Sequence, residues 1–170
     1  MQLQVTRPRS LRYGFTLPEM LVVVLILGLM SSITLPRYTD YIHGHRATIA
    51  AHRIASELNM ARHDARTRGI KRKVEFNVRG NRYEMLKMKH PNDPSARYRV
   101  QLSEGAYPVT LITADFAAAD EAEHPTIEFD MYGRPTARRR PLTSGKVIVE
   151  SGSHRAAVTI DPVTGEAKVP

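Results

Sequence analysis

Residues 14–36 read GFTLPEMLVVVLILGLMSSITLP. Positions 20–35 carry no charge, one carboxylate (Glu19) stands just before them, and Arg7, Arg9, Arg12 and Arg37 flank the stretch. As a helix, residues 15–35 extend roughly 30 Å at about 1.5 Å per residue, enough to cross a hydrocarbon core. The run is longer than the apolar region of a secretory signal peptide, and no small-residue cleavage site follows it. By the positive-inside rule, the three leading arginines hold the N-terminal side in the cytoplasm and send the rest of the chain out. A one-span anchor with an exported domain is therefore expected. Glu19 is the exception, because an unpaired carboxylate is costly to bury and calls for a partner.

Pro18 falls in the first helical turn, where a missing N–H costs little. Gly28, Ser31 and Ser32 are places where helices approach closely or bend, and Pro36 is expected to kink the helix. From 37 to 68 the pattern stays helical, with Ile42, Ile49, Ile54, Leu58, Ala61 and Ala65 forming an apolar stripe and Gly69 a C-terminal cap. Strands are expected over 73–79 and 82–88, joined by a hairpin at Gly80 and Asn81, and over 97–102, 109–112, 126–129, 146–150, 156–160 and 166–169. HPNDP (90–94) reads as a loop, SGSH (151–154) as a hairpin turn, and the Ala- and acid-rich 114–125 as a mobile loop. The expected fold class is α+β: a long N-terminal helix, membrane-spanning then amphipathic, packed on an antiparallel sheet.

Composition narrows the chemistry. The chain has 170 residues and lacks Cys, which excludes disulfides, Cys-zinc sites and thiol nucleophiles. Its formal charge is +8, and without residues 1–14, which hold three arginines and no acid, it is +5.

GFTLPE (14–19), with the basic leader before it and the apolar run after, resembles the signal motif of type IV prepilins and the pseudopilins of type II secretion. The resemblance implies that prepilin peptidase cuts between Gly14 and Phe15 and that Phe15 is N-methylated. Glu19 and Pro36 then match positions where the family carries those residue types. It also implies a pairing role for Glu19 with the N-terminal amine of Phe15 on a neighbouring subunit, which offsets the desolvation of both charges and fixes register. The second half is similar to the GspH/FimT-like minor pseudopilins, through FDMYGRPT (129–136), DPVTG (161–165) and ARHDARTRG (61–69). Relatives active in DNA uptake carry extra Arg near the C-terminal Gly; here Glu166, Ala167 and Lys168 follow Gly165 instead.

On that resemblance the chain divides into a cleaved leader (1–14), a transmembrane assembly helix (15–36) and an exported pilin-like domain (37–170). Its expected role is structural, starting or capping the periplasmic pseudopilus of a type II secretion system from the bacterial inner membrane. The alternative is a minor type IV pilin that binds DNA. Expected partners are other pilin subunits, prepilin peptidase and the membrane. The densest basic run of the exported part, Arg134, Arg138, Arg139 and Arg140, is the candidate for polyanion contact, but no aromatic residue is interleaved to stack on bases. No cofactor or metal is expected: His43 and His45 fall on opposite helix faces, and His52 and His63 are about three turns apart. Neither a nucleophile elbow nor a phosphate-cradling Gly loop is present, so an enzyme is not expected.

Overall fold

Thr16 and Gly69 bound a single long helix, α1 (Leu17–Arg68). At its start the Met20 N–H donates to the Thr16 carbonyl at 3.1 Å. At its end Gly69 takes a left-handed φ of 64°, and the Ile70 N–H reaches back to the Ala65 carbonyl at 3.1 Å. This is the six-to-one bond of a Schellman cap, open to glycine because it lacks a Cβ. The computed structural model describes residues 14–170 except 91–92, 105–107 and 120–123, and leaves undescribed the side chains at 32–37, 90 and 93–94. The chain divides into two units, Met1–Thr39 and Asp40–Pro170.

Within the second unit, α1 buries Ala47, Ala51, Ile54, Leu58, Ala61 and Ala65, all at 1% exposure or less. Their spacing of three and four residues makes one face. Ile42 and Ile49, expected on this face, are only half-buried, and Ala47, Ala50 and Ala51 stand in their place. Interiors are close-packed, so a helix lying near a sheet selects small side chains rather than the most hydrophobic ones. Glu57 is buried on the same helix and fully partnered: the Tyr83 hydroxyl donates to it at 2.7 Å and Arg53 Nε at 2.9 Å.

The strands are β1 (Arg72–Asn77), β2 (Arg82–His90), β3 (Asp93–Gln101), β4 (Thr110–Ala118), β5 (Thr126–Phe129), β6 (Pro135–Ala137), β7 (Arg140–Ser151), β8 (His154–Ile160) and β9 (Ala167–Lys168). Among the described residues they form one antiparallel sheet in the order β3-β2-β1-β5-β6-β7-β8-β9, with β4 on β7. The start of β7 pairs with β6, through Thr136 and Pro141, and the rest pairs with β4 and β8. The α+β class expected from the sequence is the class observed.

Three expectations about strands and turns also need correction. The first part of 114–125 is strand: β4 runs to Ala118, burying Ala114, Phe116 and Ala118. A bulge at Ile112, between the pairs Leu111–Val149 and Thr113–Ile148, shifts the alternation by one residue and hides its period in the sequence. The expected loop at 90–94 is narrower, since β2 reaches His90 and β3 begins at Asp93. The β1–β2 turn is longer than two residues: Asn77 pairs with Arg82, and the Asn77 side chain accepts the Gly80 N–H at 2.7 Å. The leader arginines lie outside the described residues, as does the side chain of Pro36, where a kink was expected and through which α1 runs.

Candidate functional site

The first candidate is the start of α1. Thr16 and Glu19 stand three residues apart, the spacing of a capping box, and the Thr16 N–H points at Glu19 Oε2 at 3.5 Å. In the single chain, then, the carboxylate is turned toward its own helix end, where the helix dipole also favours it. Phe15 is 73% exposed, and Leu17 and the apolar side chains from Met20 to Met30 are exposed on every face. Gly28 has no atom within 4 Å of where a Cβ would sit, and the Ser31 hydroxyl donates to the Leu27 carbonyl at 2.8 Å. A helix apolar all round requires cover from lipid or from other helices. Among the described residues no helix is long and apolar enough to cross a membrane. From Leu17 to Met30 the apolar surface is about 21 Å long, and the expected span continues into 32–37, whose side chains lie outside the described residues.

The second candidate is the basic run, which the fold distributes over several roles. Arg134 belongs to a turn organised by Asp130, whose Oδ1 accepts the Tyr132 and Arg134 N–H groups at 2.8 and 2.9 Å. Arg134 Nε binds Asp130 Oδ2 at 2.9 Å, and its guanidinium lies 5.1 Å from the centroid of the Tyr132 ring. Burial pushes the Asp130 carboxyl up, but the hydrogen bonds from Arg134 and Tyr132 outweigh it and hold the group below its ordinary value. Arg138 and Arg139 form the two-residue connection between β6 and β7, with φ of 46° and 71°. Such tight hairpins normally place Asn and Gly at these left-handed positions. Arg140 opens β7 and donates to the Ala119 carbonyl at 3.3 Å.

A second turn mirrors the first. Asp161 Oδ1 accepts the Thr164 and Val163 N–H groups at 2.6 and 2.9 Å, which lowers its pKa. Gly165 and Gly133 close the two turns with φ of 73° and 79°, each N–H donating at 2.9 Å to the carbonyl of its own aspartate. They pack on the end of α1: a Cβ at Gly133 would meet Arg66 Cδ at 2.5 Å, and one at Gly165 the Gly133 carbonyl at 2.8 Å. Arg134 and Arg139 line one cavity of about 550 Å³ beside these turns, together with Lys71, which was not among the residues expected at a site.

The histidines are dispersed. His43 Nδ1 is 3.0 Å from Ser151 Oγ, His154 Nε2 is 2.8 Å from Asp40 Oδ1, and His45 stacks on Tyr41. His52 and His63 are exposed, and among the described residues no group of three His, Asp or Glu side chains could hold a metal ion.

Comparison with known proteins adds findings of three kinds. Residues 9–35 match the prokaryotic N-terminal methylation motif. Over 148 residues the chain is 28% identical to a fimbrial protein of Dichelobacter nodosus, covering 83% of this chain and 81% of that one. It is 29% identical to the type IV major fimbrial protein FimA of the same organism, over 83% and 80% of the two chains. In structure it resembles the minor pseudopilin EpsH of the Vibrio cholerae type 2 secretion system, at 18% identity and a TM-score of 0.51, over 74% of this chain and 96% of that one. The motif at the helix start, the fimbrial relatives and the helix-on-sheet fold agree with one another: the chain is similar to type IV pilins, and its fold is that of the minor pseudopilin.

Proposed function

We propose that this chain is a minor pseudopilin, cut between Gly14 and Phe15 by prepilin peptidase, N-methylated at Phe15, and assembled through residues 15–36. Its exported part then stands in the periplasm, and the subunit starts or caps the short filament of a type II secretion system. The observation that carries the reading is the helix start, with Phe15 and the whole apolar surface to Met30 exposed and Glu19 one turn in. In a bundle of such helices the Glu19 carboxylate exchanges its Thr16 contact for the amine of a neighbour's Phe15. Two opposite charges in a low-dielectric bundle attract strongly enough to offset much of their desolvation.

A second reading is a minor type IV pilin with affinity for DNA: the fimbrial relatives favour its pilus part, and the net charge of +5 left after residues 1–14 favours its DNA part. The two diverge in what fails when the gene is deleted: protein export in the first, pilus assembly or DNA uptake in the second. Both require the same processing. Mass spectrometry of the membrane-extracted chain is expected to find methyl-Phe15 as its first residue, and an intact leader in cells with active prepilin peptidase would overturn both readings.

A further inference from the structure

Among the described residues after the end of α1, the Asp130 and Asp161 turns present most of the exposed large apolar side chains. Met131, Tyr132 and Val163 are 47%, 67% and 77% exposed. All three line the cavity of about 550 Å³, with Pro135, Pro141 and Pro162 between them. Their exposure is not a matter of loose loops. Each turn is tied by its aspartate to main-chain N–H groups, and both are closed by left-handed glycines seated on Arg62, Arg66 and one another. A volume of this size, lined mainly by apolar groups with a few fixed charges, is typical of a binding site.

The charges around it are of one prevailing sign. Lys71, Arg134 and Arg139 line this cavity, and an adjoining one of about 270 Å³ shares Lys71 and Arg139 and adds Lys73 and Lys87. The acids lining the pair are Glu128 and Asp130, and Asp130 is engaged with Arg134. Strand alternation produces the pattern: Arg72 turns inward to Asp64 and the Lys87 carbonyl, leaving Lys71 exposed and Lys73 part-exposed on the outer side. Arg139 is held in the left-handed region, where a glycine would fit without strain.

We propose that this trough docks an acidic segment of a partner protein, a loop or extended strand in which an apolar side chain lies beside two or more carboxylates. The apolar side chain enters among Met131, Pro162 and Val163, and the carboxylates meet Lys71 and Arg139. A nucleic acid fits less well, because the Tyr132 face is already covered by Arg134 and the prolines and Val163 offer nothing to phosphate. The inference does not depend on which filament the subunit serves.

The test uses the full-length chain in detergent micelles and fluorescence anisotropy. The probes are a labelled octapeptide with a central Leu flanked by Glu, the same peptide with Gln for every Glu, and a 20-base-pair DNA duplex. The Glu peptide is expected to bind in a salt-dependent manner and the Gln peptide at least about tenfold more weakly. Lys71→Glu, Arg139→Gly and Val163→Asp are each expected to weaken the Glu peptide about tenfold. Arg139→Gly serves as the folding control, because glycine suits its backbone and the thermal midpoint should hold or rise. Equal binding of the Glu and Gln peptides, no binding at about 1 mM, or full affinity in the three variants would overturn the proposal. Tighter binding of the duplex, lost through the same variants, would make the trough a nucleic-acid site instead.

Discussion

The side-chain amide of Asn59 satisfies both main-chain groups of Ala167, accepting its N–H at 3.0 Å and donating to its carbonyl at 2.9 Å. Residues 108 positions apart are thereby joined, and the short β9 is fixed to α1 in a way that its two-residue pairing with β8 alone would not achieve. Asn59→Ala leaves both groups of a buried residue without a partner and is expected to cost about 1–3 kcal/mol. Urea unfolding of the variant measures this, and a loss below about 0.5 kcal/mol would mean that water replaces the amide without penalty.

Gly165 and Gly44 make a contrasting pair. A Cβ at Gly165 would sit 2.8 Å from the Gly133 carbonyl at a left-handed φ of 73°, whereas one at Gly44 would rest 3.4 Å from the His154 ring, an ordinary contact. Gly165→Ala is expected to destabilise by about 2–4 kcal/mol, combining left-handed strain with a backbone clash. Gly44→Ala in the middle of α1 is expected to be neutral or stabilising by up to about 1 kcal/mol. Thermal midpoints of the two variants check the order, and a reversal would contradict the turn geometry.

Phe116 is fully buried on β4, in the stretch that sequence patterning assigns to a loop. Its ring packs 5.6 Å from that of Phe76, centroid to centroid. Phe116→Ala is expected to cost about 3–5 kcal/mol through lost burial and the cavity left behind. A loop residue would cost almost nothing, so denaturant unfolding separates the two assignments cleanly.

Stability should fall at both extremes of pH, for different reasons. Asp130 and Asp161 have pKa values below normal in the folded chain, so the unfolded chain binds their protons more tightly. What they contribute is present above the ordinary carboxylate pKa of about 4 and is lost as pH falls through the folded values. Asp130→Asn is expected to flatten the acid limb of a plot of unfolding midpoint against pH. At the other end, burial and then the Glu57 charge push Tyr98 up to about 12, and Tyr83 moves in the same direction. Here the folded chain holds protons that the unfolded chain releases near pH 10, so stability declines as pH rises from about 10 toward 12. Ultraviolet titration of tyrosinate should reveal this late component, and its absence would mean that the Glu57 cluster is open to water.

Glu19→Val tests assembly apart from folding. Glu19 is exposed and makes one long contact to Thr16, so the unit Asp40–Pro170 should fold as before. Insertion and cleavage are expected to persist, while incorporation into sheared filaments falls to a small fraction of the unmodified level. Incorporation at the unmodified level would sink the pairing of Glu19 with the neighbour's amine.

What could be read in the sequence was local chemistry. The Gly69 cap and the Gly152–Ser153 hairpin tip are decided within a few residues, and they stand where expected. Ala61 and Ala65 were read on the buried face of α1, but Ala47, Ala50 and Ala51 were missed because their cause lies outside the helix, in how near the sheet comes. The extent of β4 was missed because a bulge at Ile112 shifts the alternation by one residue partway along the strand. At the basic run the residue types were legible but not their grouping. Arg134 and Arg139 share a cavity with Lys71, more than 60 positions earlier, and the β1–β5 and β5–β6 pairings bring them together.

Strand β7 has a consequence for how the molecule comes apart. Its twelve residues hold β6 at one end and β4 and β8 along the rest, so it belongs to both halves of the sheet. Neither half can open while the other stays closed without tearing this strand from a neighbour, which makes the sheet one cooperative unit rather than two. Its partners are drawn from both sides in sequence, so the strand completes its pairing only after distant segments have met. A subunit wired in this way withstands a pull on its helix as a whole and, once past its limit, gives way all at once.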